Sequence, residues 1–169
     1  NNKVSLNKFA GIVACGGFSY GDVLGAGRGW GSSILYNNIV KDQFAEFFQR
    51  QDNFALGVCN GCQMLSNIKE IIPGTEKWPT FNTNFSEQFE ARFISVKIKK
   101  SNSIFFTGME DSMLPIVTAH FEGRATFANK VDENIINMQY VNYSGSVTQT
   151  YPHNPNGSDN ACAGVCNDS

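Results

Sequence analysis

The residues best suited to chemistry are Gly57-Val58-Cys59-Asn60-Gly61-Cys62-Gln63, directly after the apolar run Phe54-Ala55-Leu56. An apolar run closing on a glycine, a nucleophilic residue and a second glycine predicts a strand that turns sharply into a helix. At such a turn the nucleophile is held away from the sheet in a strained backbone conformation, with its side chain presented. A cysteine there sits at a helix N-terminus, where backbone N–H groups and the macrodipole favour negative charge. Cys59 is therefore the candidate nucleophile. Gln63 lies four residues on, one helical turn away, placed to brace the turn or line a pocket beside it.

A second stretch belongs with it. Gly16 to Gly31 holds seven glycines in sixteen residues, which predicts a long loop of tight turns and close backbone approaches. The loop does not have the dinucleotide-binding spacing, and no Gly-Lys-Ser/Thr phosphate loop is present. Cys59 and Cys62 with Cys162 and Cys166 have spacings compatible with four zinc ligands or a redox pair, but the latter two stand in an apolar, strand-like run rather than a knuckle. Cys15, Cys162 and Cys166 read as packing residues, and Cys62 as packing on the first helical turn. Metal ligands are expected nowhere. Glu90 and Arg92 alternate along one strand face and read as a solvated ion pair.

The elements that must position these residues follow from periodicity. Phe9 to Cys15 and Phe54 to Val58 read as buried parallel strands. Apolar residues from Ile39 to Phe48 recur at helical spacing, so 38–50 is an amphipathic helix, and Gln63 to Lys69 opens another that Pro73-Gly74 stops. Strand, loop, helix, strand, helix is the grammar of a parallel sheet covered by helices. Beyond residue 88 the period becomes two: Phe89 to Ile98, Pro115 to His120, Arg124 to Ala128, Met138 to Val141 and Val147 to Tyr151 read as strands, with a hairpin turn at Ser144-Gly145. The expected fold class is α/β, a mostly parallel sheet flanked by helices with an added β-rich segment and no internal boundary over 1–169.

Composition narrows the partners. The chain has 169 residues, 41% of them hydrophobic, with 13 basic and 15 acidic side chains and a net charge of −2. That balance gives no electrostatic reason to expect nucleic acid, and no apolar run is long enough to span a bilayer. Five cysteines without a secretory signal suit a reducing, cytoplasmic setting.

Gly57-x-Cys59-x-Gly61-x-Gln63 resembles the nucleophile motif of the glutamine amidotransferases with a Cys-His-Glu triad. Ala14-Cys15-Gly16-Gly17-Phe18-Ser19-Tyr20-Gly21-Asp22-Val23-Leu24-Gly25-Ala26-Gly27 is similar to a block of the glutaminase domains of phosphoribosylformylglycinamidine synthases. So are Phe89-Glu90-Ala91-Arg92-Phe93, His120-Phe121-Glu122-Gly123-Arg124 and Asn154-Pro155-Asn156-Gly157-Ser158, in the same order. The resemblance implies that Cys59 is the nucleophile, that the backbones of Gly17 and Asn60 form the oxyanion hole, and that Gly16, Phe18 and Gln63 contact glutamine. It implies that ammonia passes to a synthetase portion on the same polypeptide, which uses ATP and Mg2+, while the glutaminase domain itself takes no cofactor. It also implies that the segment is a fragment lacking the start and end of its domain.

One departure stands out. The family's base and its carboxylate lie in a Pro-His-Pro-Glu block that these residues do not contain. His153 has no glutamate two residues on. His120 does, at Glu122, and strand alternation would put the two on one face with Arg124, yet its place in the motif order is not that of the base. The triad histidine and glutamate are thus expected outside this chain. Two other readings remain open: a catalytically silent module that docks on the synthetase, and a cysteine-based zinc or redox module.

Overall fold

The computed structural model describes residues 4–17 and 25–167. The chain divides into two compact units, Asn1–Glu76 and Lys77–Ser169. Phe18 lies outside the described residues.

In the first unit, strand β1 (Gly11–Ala14) leads to helices α1 (Arg28–Leu35) and α2 (Asn38–Gln49), then to β2 (Phe54–Gly57) and helix α3 (Asn60–Asn67). β1 and β2 pair in parallel, with Ala14 opposite Gly57. Parallel strands need a crossover connection, and α1 and α2 supply it. Asn37 starts α2 by accepting a hydrogen bond from the Val40 N–H at 3.3 Å, the usual way to satisfy a first-turn donor. Phe47, Met64, Leu65 and Ile68 are buried and form the centre of this unit.

The sheet is less buried than its apolar runs predict: Val13 is 56% exposed and Phe54 37%. Ala14 and Gly57 approach α3 closely, so one face of the pair is covered and the face carrying Val13 is not. The glycine-rich stretch is also not loop throughout. It is already helical at Arg28, because Gly27 (φ 71°) turns the chain into α1 and Gly31 lets that helix lie on α3. A Cβ on Gly31 would stand 2.8 Å from the Cβ of Asn67.

The second unit corrects the expectation of a mostly parallel sheet. β4 (Glu90–Ile98), β5 (Met113–His120), β7 (Ile136–Val141) and β8 (Cys162–Val165) form a four-stranded sheet in the order β5-β4-β7-β8, and β3 (Thr80–Asn82) pairs with β6 (Arg124–Thr126). Every pairing here is antiparallel. The reason lies in the connections: between 77 and 167 the only helical pieces are three-residue 3-10 turns, too short for parallel crossovers. Ile94, Val96, Tyr140 and Ala161 make one core cluster, and Ala125, Ile135, Ile136 and Cys162 a second. The strand expected over Val147 to Tyr151 reduces to one bridge, Val141 to Val147. Pro152 follows at once and has no N–H to extend a ladder.

Candidate active site

The turn between β2 and α3 has the geometry its sequence predicts. Cys59 caps α3 at φ 52° and ψ −115°, a positive-φ conformation outside the left-handed helical region that a side-chain-bearing residue adopts only when its surroundings force it. Those surroundings are the two flanking glycines. A Cβ on Gly61 would fall 2.0 Å from the carbonyl oxygen of Ala14, and one on Gly57 would fall 2.8 Å from the backbone of Cys62. Helix α3 therefore begins directly against the ends of both strands. The Val58 N–H donates to the Ala14 carbonyl at 2.9 Å, the Gly61 N–H to Val58 at 3.0 Å and the Gln63 N–H to Cys59 at 3.0 Å. These bonds lock the turn, and the Cys59 residue is left exposed.

Of the predicted neighbours, Gly16 lies against Cys59. A Cβ on Gly16 would stand 3.1 Å from the Cβ of Cys59 and 3.9 Å from its Sγ, which puts the Gly16 backbone beside the sulfur. Gly17 follows at φ 112°, with nothing among the described residues within 4 Å of its Cβ position. Asn60 is the first residue of α3 and is buried, as is Gln63 one turn on. Gln63 packs under the start of α1: a Cβ on Gly27 would meet the Gln63 backbone carbonyl carbon at 2.9 Å and the Met64 nitrogen at 2.6 Å.

The other thiols separate from Cys59. Cys62 is half-buried, and loss of solvent around its sulfur pushes its thiol up to about 12, with Cys59 as a second cause. A thiol so raised stays protonated and is a poor nucleophile or ligand. Cys162 is buried in a core cluster, its Sγ 3.7 Å from the Gly164 carbonyl. Cys15 does not pack as expected and is exposed, since it lies where β1 leaves the sheet next to Gly16. Among the described residues no three His, Cys, Asp or Glu side chains gather as a metal site, and no helix is long and apolar enough to cross a membrane.

His120 is held in another way than the sequence suggests. β5 ends at His120, so strand alternation does not carry through to Glu122. Its cross-strand neighbour is Glu90 instead. Glu90 is not a solvated partner: its side chain is 4% exposed, and it accepts from Arg92 at 2.5 Å and from the Ser86 hydroxyl at 2.7 Å. Arg92 in turn donates to the Tyr151 hydroxyl at 2.6 Å and lies over its ring. Burial lowers the His120 pKa against the opposing pull of Glu90, and its Nε2 is enclosed without a hydrogen-bond partner. The ring also fills the space beside Gly123, where a Cβ would fall 1.9 Å from it. His153 stacks edge-on against Tyr143 at 4.6 Å.

Sequence reasoning missed one deep feature. Asn84, Asn154, Asn156 and Ser158 are at most 2% exposed. Asn156 donates to the Gly123 carbonyl at 2.8 Å and to the Tyr140 hydroxyl at 2.9 Å, while its Oδ1 accepts from Ser158. Asn154 accepts from the Gly157 and Ser158 amides and donates to the Ser158 carbonyl. Asn84 accepts from the Gly123 N–H and donates to the carbonyls of His120 and Gln88. These side chains fasten three loops of the second unit, and their block was legible only as a match to the family, not as a physical network.

A strained cysteine between a parallel strand and a helix, framed by Gly57 and Gly61 and lying against Gly16, defines an α/β domain of the nucleophile-elbow class. The profile of the CobB/CobQ-like glutamine amidotransferase domain matches residues 1–169, and the chain belongs to that family. It is similar to the solved structure of PurLQS from Thermotoga maritima, with 25% sequence identity and a TM-score of 0.72 over 98% of this chain. The match covers 66% of that chain, so the present sequence spans slightly less than two thirds of its length.

Proposed function

We propose that this chain is the glutaminase portion of a phosphoribosylformylglycinamidine synthase, a cytoplasmic enzyme of purine biosynthesis. The observation that carries the reading is the pairing of Cys59, at its positive-φ turn, with the Gly16 backbone beside its sulfur. The Cys59 thiolate attacks the amide carbon of glutamine, and the carbonyl electron pair moves onto oxygen. Collapse of that tetrahedral species, with the proton given up by the thiol delivered to nitrogen, breaks the C–N bond, expels ammonia and leaves a thioester. Water then attacks the thioester, releasing glutamate and restoring the thiol. The oxyanion of both steps is met by the backbone N–H groups of Gly17 and Asn60, and loss of one such donor typically costs about 2.7–4 kcal/mol. Gly16, Phe18 and Gln63 border the glutamine.

No cofactor takes part in these steps. The ammonia goes to a synthetase portion of the same polypeptide, which uses ATP and Mg2+ to convert formylglycinamide ribonucleotide into formylglycinamidine ribonucleotide. The triad imidazole and carboxylate are assigned outside residues 1–169. Supporting that assignment, His120 has Glu90 as its cross-strand neighbour and an enclosed ring nitrogen, and His153 lies against Tyr143.

The test is Cys59→Ser in the native full-length protein. Glutamine-dependent synthesis should fall by ~10³-fold or more, while synthesis from added ammonia persists. A glutamine-mimicking alkylator should label Cys59 in the wild type, and glutamine should protect it. Loss of both activities would contradict the division of labour. An unlabelled Cys59 with intact ammonia-dependent synthesis would instead favour the silent docking module.

A further inference from the structure

Asn67, at the end of α3, makes a contact that the glutaminase reading leaves unassigned. Its Nδ2 donates to two carbonyls at once, that of Gln63 at 2.8 Å and that of Ala26 at 2.7 Å. Ala26 and Gly27 are successive left-handed residues, at φ 46° and 71°. For alanine that conformation costs roughly 1 kcal/mol or more, so something must hold it. The hold has two parts. Gly27 sits so close to the Gln63–Met64 peptide that a Cβ would fall 2.6 Å from the Met64 nitrogen. Asn67 ties the adjoining carbonyl to the same turn of α3. From there the Gln63 N–H continues to the carbonyl of Cys59 at 3.0 Å. A short run of hydrogen bonds thus links the start of α1, through Asn67 and Gln63, to the nucleophile's own peptide.

We propose that Asn67 is a positioning residue for glutamine: it fixes the Ala26–Gly27 turn on the Gln63 face of α3 and thereby sets how tightly that face receives the substrate. The inference rests on the glutaminase reading above. Asn67 acts through the Ala26 and Gln63 carbonyls rather than on the sulfur, so substrate binding should suffer more than the chemical step. Asn67 itself is exposed while Ala26 is buried, so truncation should lower the melting temperature modestly and the kinetics are read on the folded protein.

The experiment is steady-state kinetics of Asn67→Ala and Asn67→Asp in the native full-length protein, with melting temperature measured alongside. Both variants should raise the KM for glutamine by about five- to tenfold, with kcat within about twofold and ammonia-dependent synthesis unchanged. Asp keeps the shape but brings no donor to the two carbonyls, so it should be no better than Ala. Gly27→Ala, which lifts the same contact sterically, should give a similar KM rise and combine with Asn67→Ala less than additively. Wild-type KM in both Asn67 variants, wild-type behaviour of the Asp variant alone, or a fall in kcat with unchanged KM would each overturn the inference. A wild-type protein that makes product from ammonia but never from glutamine would sink the glutaminase reading itself, and the inference with it.

Discussion

The turn at Cys59 and the asparagine cluster of the second unit reach rigidity by opposite means. At Cys59 the backbone is held by exclusion: Gly57 and Gly61 lie where no side chain fits, and the strain is concentrated on one residue whose side chain stays exposed. Around Asn84, Asn154 and Asn156 the backbone is held by saturation, with buried amides giving and receiving hydrogen bonds across three loops. The first arrangement leaves a reactive group available. The second commits its polar atoms to the fold, which is what a scaffold needs and a reactive site does not. The two regions should therefore fail in different ways when altered.

The exclusion side should break hardest. Gly61→Ala would place a methyl 2.0 Å from the Ala14 carbonyl oxygen, with no rotamer to relieve it and a strand on the other side. Helix α3 would have to leave β1, at a cost of about 3 kcal/mol or more. Thermal or urea unfolding checks this directly. Gly57→Ala meets the Cys62 backbone at 2.8 Å and should be somewhat milder. A Gly61→Ala protein that melts within a few degrees of the wild type would mean that close approach is not what holds the turn.

The saturation side should break by unpairing. Asn156→Ala removes the donor to the Gly123 carbonyl and the Tyr140 hydroxyl and the acceptor for Ser158. Losing these buried hydrogen bonds should cost about 2–4 kcal/mol. Asn156→Asp should fare no better, because it keeps the acceptor and loses the donor. Hydrogen exchange at the Ser158 and Ala125 amides should accelerate together, since the Ala125 N–H donates to the Ser158 hydroxyl at 3.0 Å. Slow exchange at Ala125 in the variant would separate the two loops and undo the idea of one network.

The same contrast explains what the sequence revealed. A strained turn is local, so Gly57, Cys59 and Gly61 announced it by spacing alone, and the structure places Gly16 where the glycine loop was expected to lie. Close packing between elements is not local. Gly27 and Gly31 read as loop glycines, whereas they admit α1 onto α3, Gly27 against the Gln63–Met64 peptide and Gly31 against Asn67. Period-two alternation marked β4, β5 and β7, but a strand's direction depends on its connections, and the lack of a helix after residue 76 was the signal against a mostly parallel sheet. His120 with Glu122 was inferred from alternation that stops at the end of β5, so the pairing with Glu90 across the sheet was hidden until the register was known.

That last pairing allows the gentlest test. Burial lowers the His120 pKa below its ordinary value, with Glu90 acting in the opposite sense and Arg92 beside that carboxylate. The folded protein therefore disfavours the imidazolium, whereas the unfolded chain titrates near about 6.5. Stability from the neutral ring is full above that value. It is lost as pH falls below it, because the unfolded state then binds the extra proton. His120→Gln should flatten the stability profile between about pH 7 and 5, by at most about 1 kcal/mol per pH unit. Urea unfolding of the wild type and the variant across that range measures the difference. Parallel profiles would mean that the ring titrates as freely in the fold as out of it, and that the second unit tolerates a charge where its asparagines tolerate no loss of a partner.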